Sequence, residues 1–233
     1  MSLWVLTDRR QAVRPLVEVV CAAVAAGAGT VLLRERDLPR GERVKLVERL
    51  RAVIPPGQAR LVVAGADPLG GDAVHLSAAE TAPVGLSLVG RSCHDAVDLA
   101  ALASDWPGPP AVDYAFVSPV YATESKPGYG PPVGVAGLAA LVRIAPVPVV
   151  ALGGISAPAQ VTECLSAGAV AVAVMGAIMR ADDPGAVVAE MLTAARAVVP
   201  DGRLGDVAEL TGARARLAGS GLAAALAGPA VGR

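Results

Sequence analysis

The chain has 233 residues, is 54% hydrophobic but only 3% aromatic, and carries a formal net charge of −1. That length suits one (β/α)8 barrel or one large α/β domain. Near-neutral charge and scarce aromatics exclude a nucleic-acid face built on basic patches or stacked rings.

The first residues, Met1 to Asp8, enter a strand pattern without a basic, apolar leader, which predicts no signal peptide and a cytoplasmic protein. Eight short runs rich in Val and Leu follow one another at 3–7, 30–34, 60–63, 73–76, 85–90, 112–118, 148–153 and 169–174. Their apolar character is continuous rather than alternating, as expected of parallel strands covered on both faces. Between them, residues 15–26, 41–53, 95–103, 135–144, 157–167 and 183–198 carry the i, i+3, i+4 stripe of amphipathic helices. The crossovers at 65–72 and 77–83 are too short for more than one helical turn each. Eight strand–crossover units predict one closed (β/α)8 TIM barrel over residues 1–199, with only short helices after strands 3 and 4. An open doubly wound sheet is the rival, but its Gly-x-Gly-x-x-Gly after strand 1 is replaced by Thr7-Asp8-Arg9-Arg10. Residues 200–233 change to loosely ordered Gly, Ala and Arg, and predict an extension with one helix near 206–218 and then a mobile tail. No apolar run reaches the roughly 18 residues of a membrane span. Cys21, Cys93 and Cys164 fit neither a disulfide framework nor a metal spacing and read as small buried hydrophobes.

In a parallel barrel the strand C-terminal ends face the active site. Two ends stand out. Val149-Val150-Ala151-Leu152 stops at Gly153-Gly154 before Pro158 opens a helix. One unit later, Val172-Ala173-Val174-Met175 stops at Gly176-Ala177. Unpaired backbone N–H groups at such ends bind phosphate without side-chain charge. Arg34 and Arg36, two apart after strand 2, can share the mouth and ask for an anionic partner, either a ligand or Glu35, Asp37 or Asp8. After strand 6 a long Gly- and Pro-flanked loop carries Thr123, Glu124, Ser125 and Lys126; such loops close over ligands. The two histidines both fall at strand ends. His75 reads as a wall residue. His94, following Ser92 and Cys93, starts a helix, where its neutral form is favoured and can act as a base. Asp67 and Glu80 are the weak candidates for holding a metal.

Six ordered segments carry a family resemblance: Val-Leu-Leu-Arg-Glu-Arg (31–36), Ala-Val-His-Leu (73–76), Gly-Arg-Ser-Cys-His (90–94), Asp-Tyr-Ala-Phe-Val-Ser-Pro-Val-Tyr-Ala-Thr-Glu-Ser-Lys (113–126), Ala-Leu-Gly-Gly-Ile (151–155) and Ala-Val-Met-Gly-Ala-Ile (173–178). In these the chain resembles the thiamine phosphate synthase / TenI superfamily of small (β/α)8 barrels. The resemblance implies a phosphorylated thiazole as the small-molecule partner. Its phosphate would lie on the N–H groups of Gly153, Gly154, Gly176 and Ala177, and Arg34, Arg36, Ser92, Thr123, Ser125 and Met175 would complete the substrate site. It implies two enzymes. A TenI-like thiazole tautomerase moves a proton without metal or other cofactor, with His94 and Lys126 as catalytic residues; this is the first expectation. A thiamine phosphate synthase joins a pyrimidine diphosphate to the thiazole phosphate, with Mg²⁺ helping pyrophosphate depart; this is the alternative. A non-catalytic thiazole or thiamine phosphate-binding barrel is the third. The synthase pattern is partly kept: Arg34 and Lys126 match, Arg36 stands for a lysine, Leu32 for a glutamine, Ala64-Gly65 for an Asn-Asp pair, and Glu80 approximates an aspartate. The sequence leaves the oligomeric state open, a homo-oligomer included.

Overall fold

A computed structural model describes residues 3–81, 83–103, 112–123 and 131–198. Eight parallel strands close into a barrel in chain order: β1 (Leu3–Leu6), β2 (Thr30–Leu33), β3 (Arg60–Ala64), β4 (Ala73–Leu76), β5 (Leu88–Cys93), β6 (Tyr114–Val117), β7 (Val149–Leu152) and β8 (Ala171–Val174). Closure is made by β1 on β8, with Trp4 opposite Ala173. The open-sheet rival is thereby excluded.

The helices follow the amphipathic stripes: α1 (Leu16–Ala25), α2 (Arg40–Val53), α3 (Ala96–Ala103), α4 (Gly134–Ile144), α5 (Pro158–Ser166), a one-turn α6 (Gly176–Met179) and α7 (Pro184–Val198). On α1 the stripe Leu16, Val19, Val20, Ala23 and Val24 is buried. The start of α5 lacks a capping side chain at Ala157; Gln160 reaches back instead, its Oε1 accepting from the N–H groups of Ser156 at 2.7 Å and Ala157 at 3.0 Å.

Three sequence expectations need correction. The short helices expected after strands 3 and 4 are turns among the described residues. Strand 5 runs over Leu88–Cys93, three residues later than the apolar run suggested, because its outer half is polar (Arg91, Ser92) while its pairing with β6 continues to Cys93. Cys21 is exposed on α1, whereas Cys93 and Cys164 are buried. The expected extension, 200–233, lies outside the described residues.

Two apolar layers position the site. The outer layer packs helices against the barrel wall. The inner layer fills the barrel itself, with Trp4, Leu6, Leu32, Val62, Leu88, Tyr114, Phe116 and Val150 among its members. Trp4, Tyr114 and Phe116 meet there with ring centroids 4.8–5.5 Å apart, the spacing of favourable aromatic pairs. Gly90 makes this possible: a Cβ at position 90 would lie 1.9 Å from Cζ of Tyr114. Above the filled floor a cavity opens at the C-terminal mouth.

Candidate active site

The mouth holds a cavity of about 440 Å³. Its floor includes Leu6, Leu32, Ala64, His75 and Phe116, and its rim includes Arg34, Arg36, Ser92, Thr123, Met175 and Arg180.

At the β7 end, Gly153 and Gly154 line the cavity with φ of 102° and 69°. Glycine is needed there for two reasons. A left-handed backbone strains any L side chain. A Cβ at Gly153 would also sit 2.7 Å from Cα of Pro119, and one at Gly154 only 2.4 Å from the carbonyl oxygen of Ala122. The loop after β6 is stitched onto the same strand end, with Val120 N–H donating to Leu152 O and Tyr121 N–H to Gly153 O, both at 2.9 Å. The N–H groups of Gly153, Gly154, Gly176 and Ala177 find no backbone acceptor among the described residues. Arg180, which the sequence reading missed, leaves α6 and lies over Gly176: its Nη1 would be 2.6 Å from a Cβ there, and it also bonds Oε1 of Gln11. The available signal was a basic residue one helical turn past the second glycine end.

The β2 end alternates. Arg34 and Arg36 face the cavity, while Glu35 is buried and accepts from Arg9, at 2.9 Å from its N–H and 3.0 Å from Nη1. Arg9 also clamps Asp37 at 2.7 and 2.9 Å, and this hydrogen-bonded guanidinium holds the Asp37 carboxyl down to about 2. These carboxylates are therefore taken. Arg34 is fixed by its own N–H donating to Oγ1 of Thr7 at 3.0 Å, and its Nη1 reaches Sδ of Met175 at 3.7 Å. Among the described residues it has no carboxylate partner. Arg36 pairs with Glu80 at 3.0 and 3.3 Å.

Both metal candidates already have partners. Burial pushes the Glu80 carboxyl up, but the Ser77 N–H, donating at 2.7 Å, and Arg36 outweigh it and hold it below the usual range. Asp67 is likewise held down, by Arg40 at 2.6 Å and by the Leu69 N–H at 3.0 Å. Neither lines the cavity. At the β3 end, where the synthase pattern has Asn-Asp, Ala64 O accepts from Nη2 of Arg43 at 2.6 Å instead. A Mg²⁺ ion is held by free carboxylate oxygens; here both carboxylates are committed to arginines. No cluster of three metal-ligating side chains exists among the described residues. The residues present do not fit a carboxylate-held Mg²⁺.

The two histidines differ. His75 is buried, lines the cavity and lies 4.2 Å from the Phe116 ring centroid. Its Nδ1 is 3.1 Å from the Tyr114 hydroxyl and its Nε2 2.9 Å from Oγ of Ser92. Burial pushes its pKa down to about 3, so the ring is neutral near pH 7. His94 is half-buried and is not among the residues lining the cavity. Its backbone N–H donates to Asp98 at 2.7 Å, and its Nδ1–H donates to the carbonyl of Ser118 at 2.6 Å. Thus Arg34, Arg36, Ser92, Thr123, Gly153, Gly154, Met175, Gly176 and Ala177 are brought together around one cavity, and His94, Asp67 and Glu80 are not. Ser125 and Lys126 lie outside the described residues.

Residues 3–178 match the family model described as thiamine monophosphate synthase. A Geobacter sulfurreducens protein named "Putative thiamine-phosphate synthase" is 38% identical over 196 residues, covering 78% of this chain and 89% of its own. A thiamine-phosphate synthase of Roseiflexus castenholzii is 32% identical over 189 residues, covering 78% and 82%. Among solved structures, a thiamine phosphate pyrophosphorylase of Pyrococcus furiosus aligns with a TM-score of 0.72 and 26% identity, covering 85% of this chain and 96% of that one.

Proposed function

Because the chain belongs to the thiamine monophosphate synthase family, a family of thiamine-biosynthesis enzymes, we propose that it is a thiamine-phosphate synthase, coupling a hydroxymethylpyrimidine diphosphate to a thiazole phosphate. The observation that carries this reading is that one cavity offers anion-receiving groups on two stretches of its rim. One is the amides of Gly153, Gly154, Gly176 and Ala177 with Arg180; the other is Arg34 with Arg36. Coupling brings two phosphorylated substrates into one site. The amide stretch takes the compact thiazole phosphate. The guanidinium stretch takes the diphosphate, for which planar, bidentate donors are suited. In the reaction a bond forms between the heterocycles while the C–O bond to the diphosphate breaks, its electron pair leaving on pyrophosphate. Arg34, which has no carboxylate partner among the described residues, stabilises that developing charge.

A second reading, the TenI-like tautomerase with His94 as base, is favoured by one observation: the loss of the carboxylate set at the β3 and β4 ends. Against it stands the absence of His94 from the cavity lining.

The deciding experiment incubates purified protein with both synthase substrates, with and without Mg²⁺, and follows thiamine phosphate and pyrophosphate. Stoichiometric appearance of both supports the synthase. Their absence, with aromatisation of a dihydrothiazole carboxylate phosphate that His94→Ala abolishes, replaces it with the tautomerase. Ligand-induced thermal stabilisation without any turnover leaves a binding-only barrel.

A further inference from the structure

In the cavity wall and just behind it, three polar side chains from three adjacent strands form a chain that the coupling chemistry above does not use. Tyr114 (β6), His75 (β4) and Ser92 (β5) are linked at 3.1 and 2.9 Å. Tyr114 is fully buried, and its phenol is pushed well above its ordinary pKa by that burial. It therefore keeps its proton. A buried O–H must donate, and the acceptor within reach is Nδ1 of His75. His75, being neutral, carries its single proton on the other nitrogen. Nε2–H then donates to Oγ of Ser92, whose hydroxyl lines the cavity. With its oxygen already engaged as an acceptor from behind, Ser92 directs its own proton forward.

We propose that Tyr114 and His75 are positioning residues that fix the Ser92 hydroxyl as a hydrogen-bond donor to the cavity, so that a bound heterocycle must present an acceptor there, such as an aromatic ring nitrogen, rather than an amino group. The proton order belongs to the free protein; the identity of the ligand as an aromatic nitrogen heterocycle rests on the synthase reading. The placement is built into the barrel. The Tyr114 ring occupies the space that a side chain at Gly90 would fill, and Phe116 packs on His75 at 4.2 Å, so both rings are packed within the barrel's inner layer.

The first test needs no substrate and no variant of the relay. The chain has two histidines, so ¹⁵N spectra of the imidazoles of the full chain, assigned with His94→Asn, isolate His75. Between pH 5.5 and 8 its Nδ1 should be unprotonated and its Nε2 protonated. The opposite tautomer, or a ring that titrates in this range, overturns the proposal. The second test uses thiamine phosphate formation. Tyr114→Phe and Ser92→Ala should each lower kcat/KM about five- to tenfold, the range for loss of one neutral hydrogen bond at a site. The double variant should be no worse than the worse single one, because both break the same chain. Losses that multiply in the double variant, with singly and doubly altered proteins melting alike, overturn it. His75→Gln, which keeps an amide N–H for Ser92, should retain more activity than His75→Leu; equal losses mean the histidine only fills space. A wild-type protein that forms no thiamine phosphate defeats the synthase reading and leaves the spectroscopic test to decide the relay.

Discussion

The two sides of the barrel mouth are made of different materials. Along β7 and β8 the ligand-facing groups are backbone amides, held in place by glycines whose missing side chains let the loop after β6 close against them. Along β2 they are the long side chains of Arg34 and Arg36, and around them stand ion pairs: Arg36 to Glu80, Arg40 to Asp67 and Arg9 to Glu35 and Asp37. A backbone site tolerates almost no substitution, because each change moves the main chain. A side-chain site can exchange partners one at a time: here Arg36 pairs with Glu80, and the carbonyl of Ala64 accepts from Arg43.

The contrast is tested most severely at Gly154. Gly154→Val sets a branched side chain at φ 69°, within 2.4 Å of a backbone oxygen, and should cost about 3 kcal/mol or more of stability together with most phosphate affinity. Thermal melts with and without inorganic phosphate or thiazole phosphate read both; a wild-type melt would mean that the strand end is not rigid. On the other side, the buried His75 makes a pH prediction. Its folded-state pKa, about 3, lies below the ordinary 6.5, so the unfolded chain binds the extra proton and stability falls as pH drops through that window. Between pH 7 and pH 5 the wild type should lose on the order of 2 kcal/mol that His75→Gln does not lose; parallel denaturation curves for the two proteins would remove the assignment. Arg34→Ala deletes a cavity-facing guanidinium and should raise KM for the diphosphate substrate roughly 10- to 100-fold, the range for a charge-assisted contact. Steady-state kinetics in that substrate measures it, and an unchanged KM would move the diphosphate elsewhere. Glu80→Gln is the mildest. It keeps an acceptor for the Ser77 N–H and loses a partly exposed ion pair, worth under about 1 kcal/mol. Activity across a Mg²⁺ titration should change less than roughly threefold, whereas a large upward shift in the Mg²⁺ requirement would make Glu80 a metal ligand after all.

The same contrast explains what could be read from the sequence. The barrel follows from continuous Val- and Leu-rich runs and amphipathic stripes, and the glycine ends announce themselves because a backbone site is a local pattern: Leu152-Gly153-Gly154 and Met175-Gly176-Ala177 each lie in one stretch of chain. Side-chain partnerships are not local. Nothing near Glu80 reveals that Arg36 has taken it, and nothing near Tyr114 reveals that His75, from another strand, meets its hydroxyl and in turn holds Ser92 on a third. Position 94 shows a further limit. A histidine at a strand end is visible in one dimension, but whether its ring turns into the cavity or onto the Ser118 carbonyl depends on a neighbouring strand. The misplaced end of strand 5 has a similar origin: Arg91 and Ser92 look like loop residues, yet Ser92 points into a polar mouth rather than an apolar core, so polarity does not end the strand there.

Gly90 and Tyr114 share one volume across a strand boundary: the ring of the second stands where the first would have a side chain. The two positions are consequently a single trait in inheritance. A lineage that enlarges residue 90 must shrink residue 114 in the same step or lose the barrel's centre, and with the phenol would go its hold on His75, two strands away.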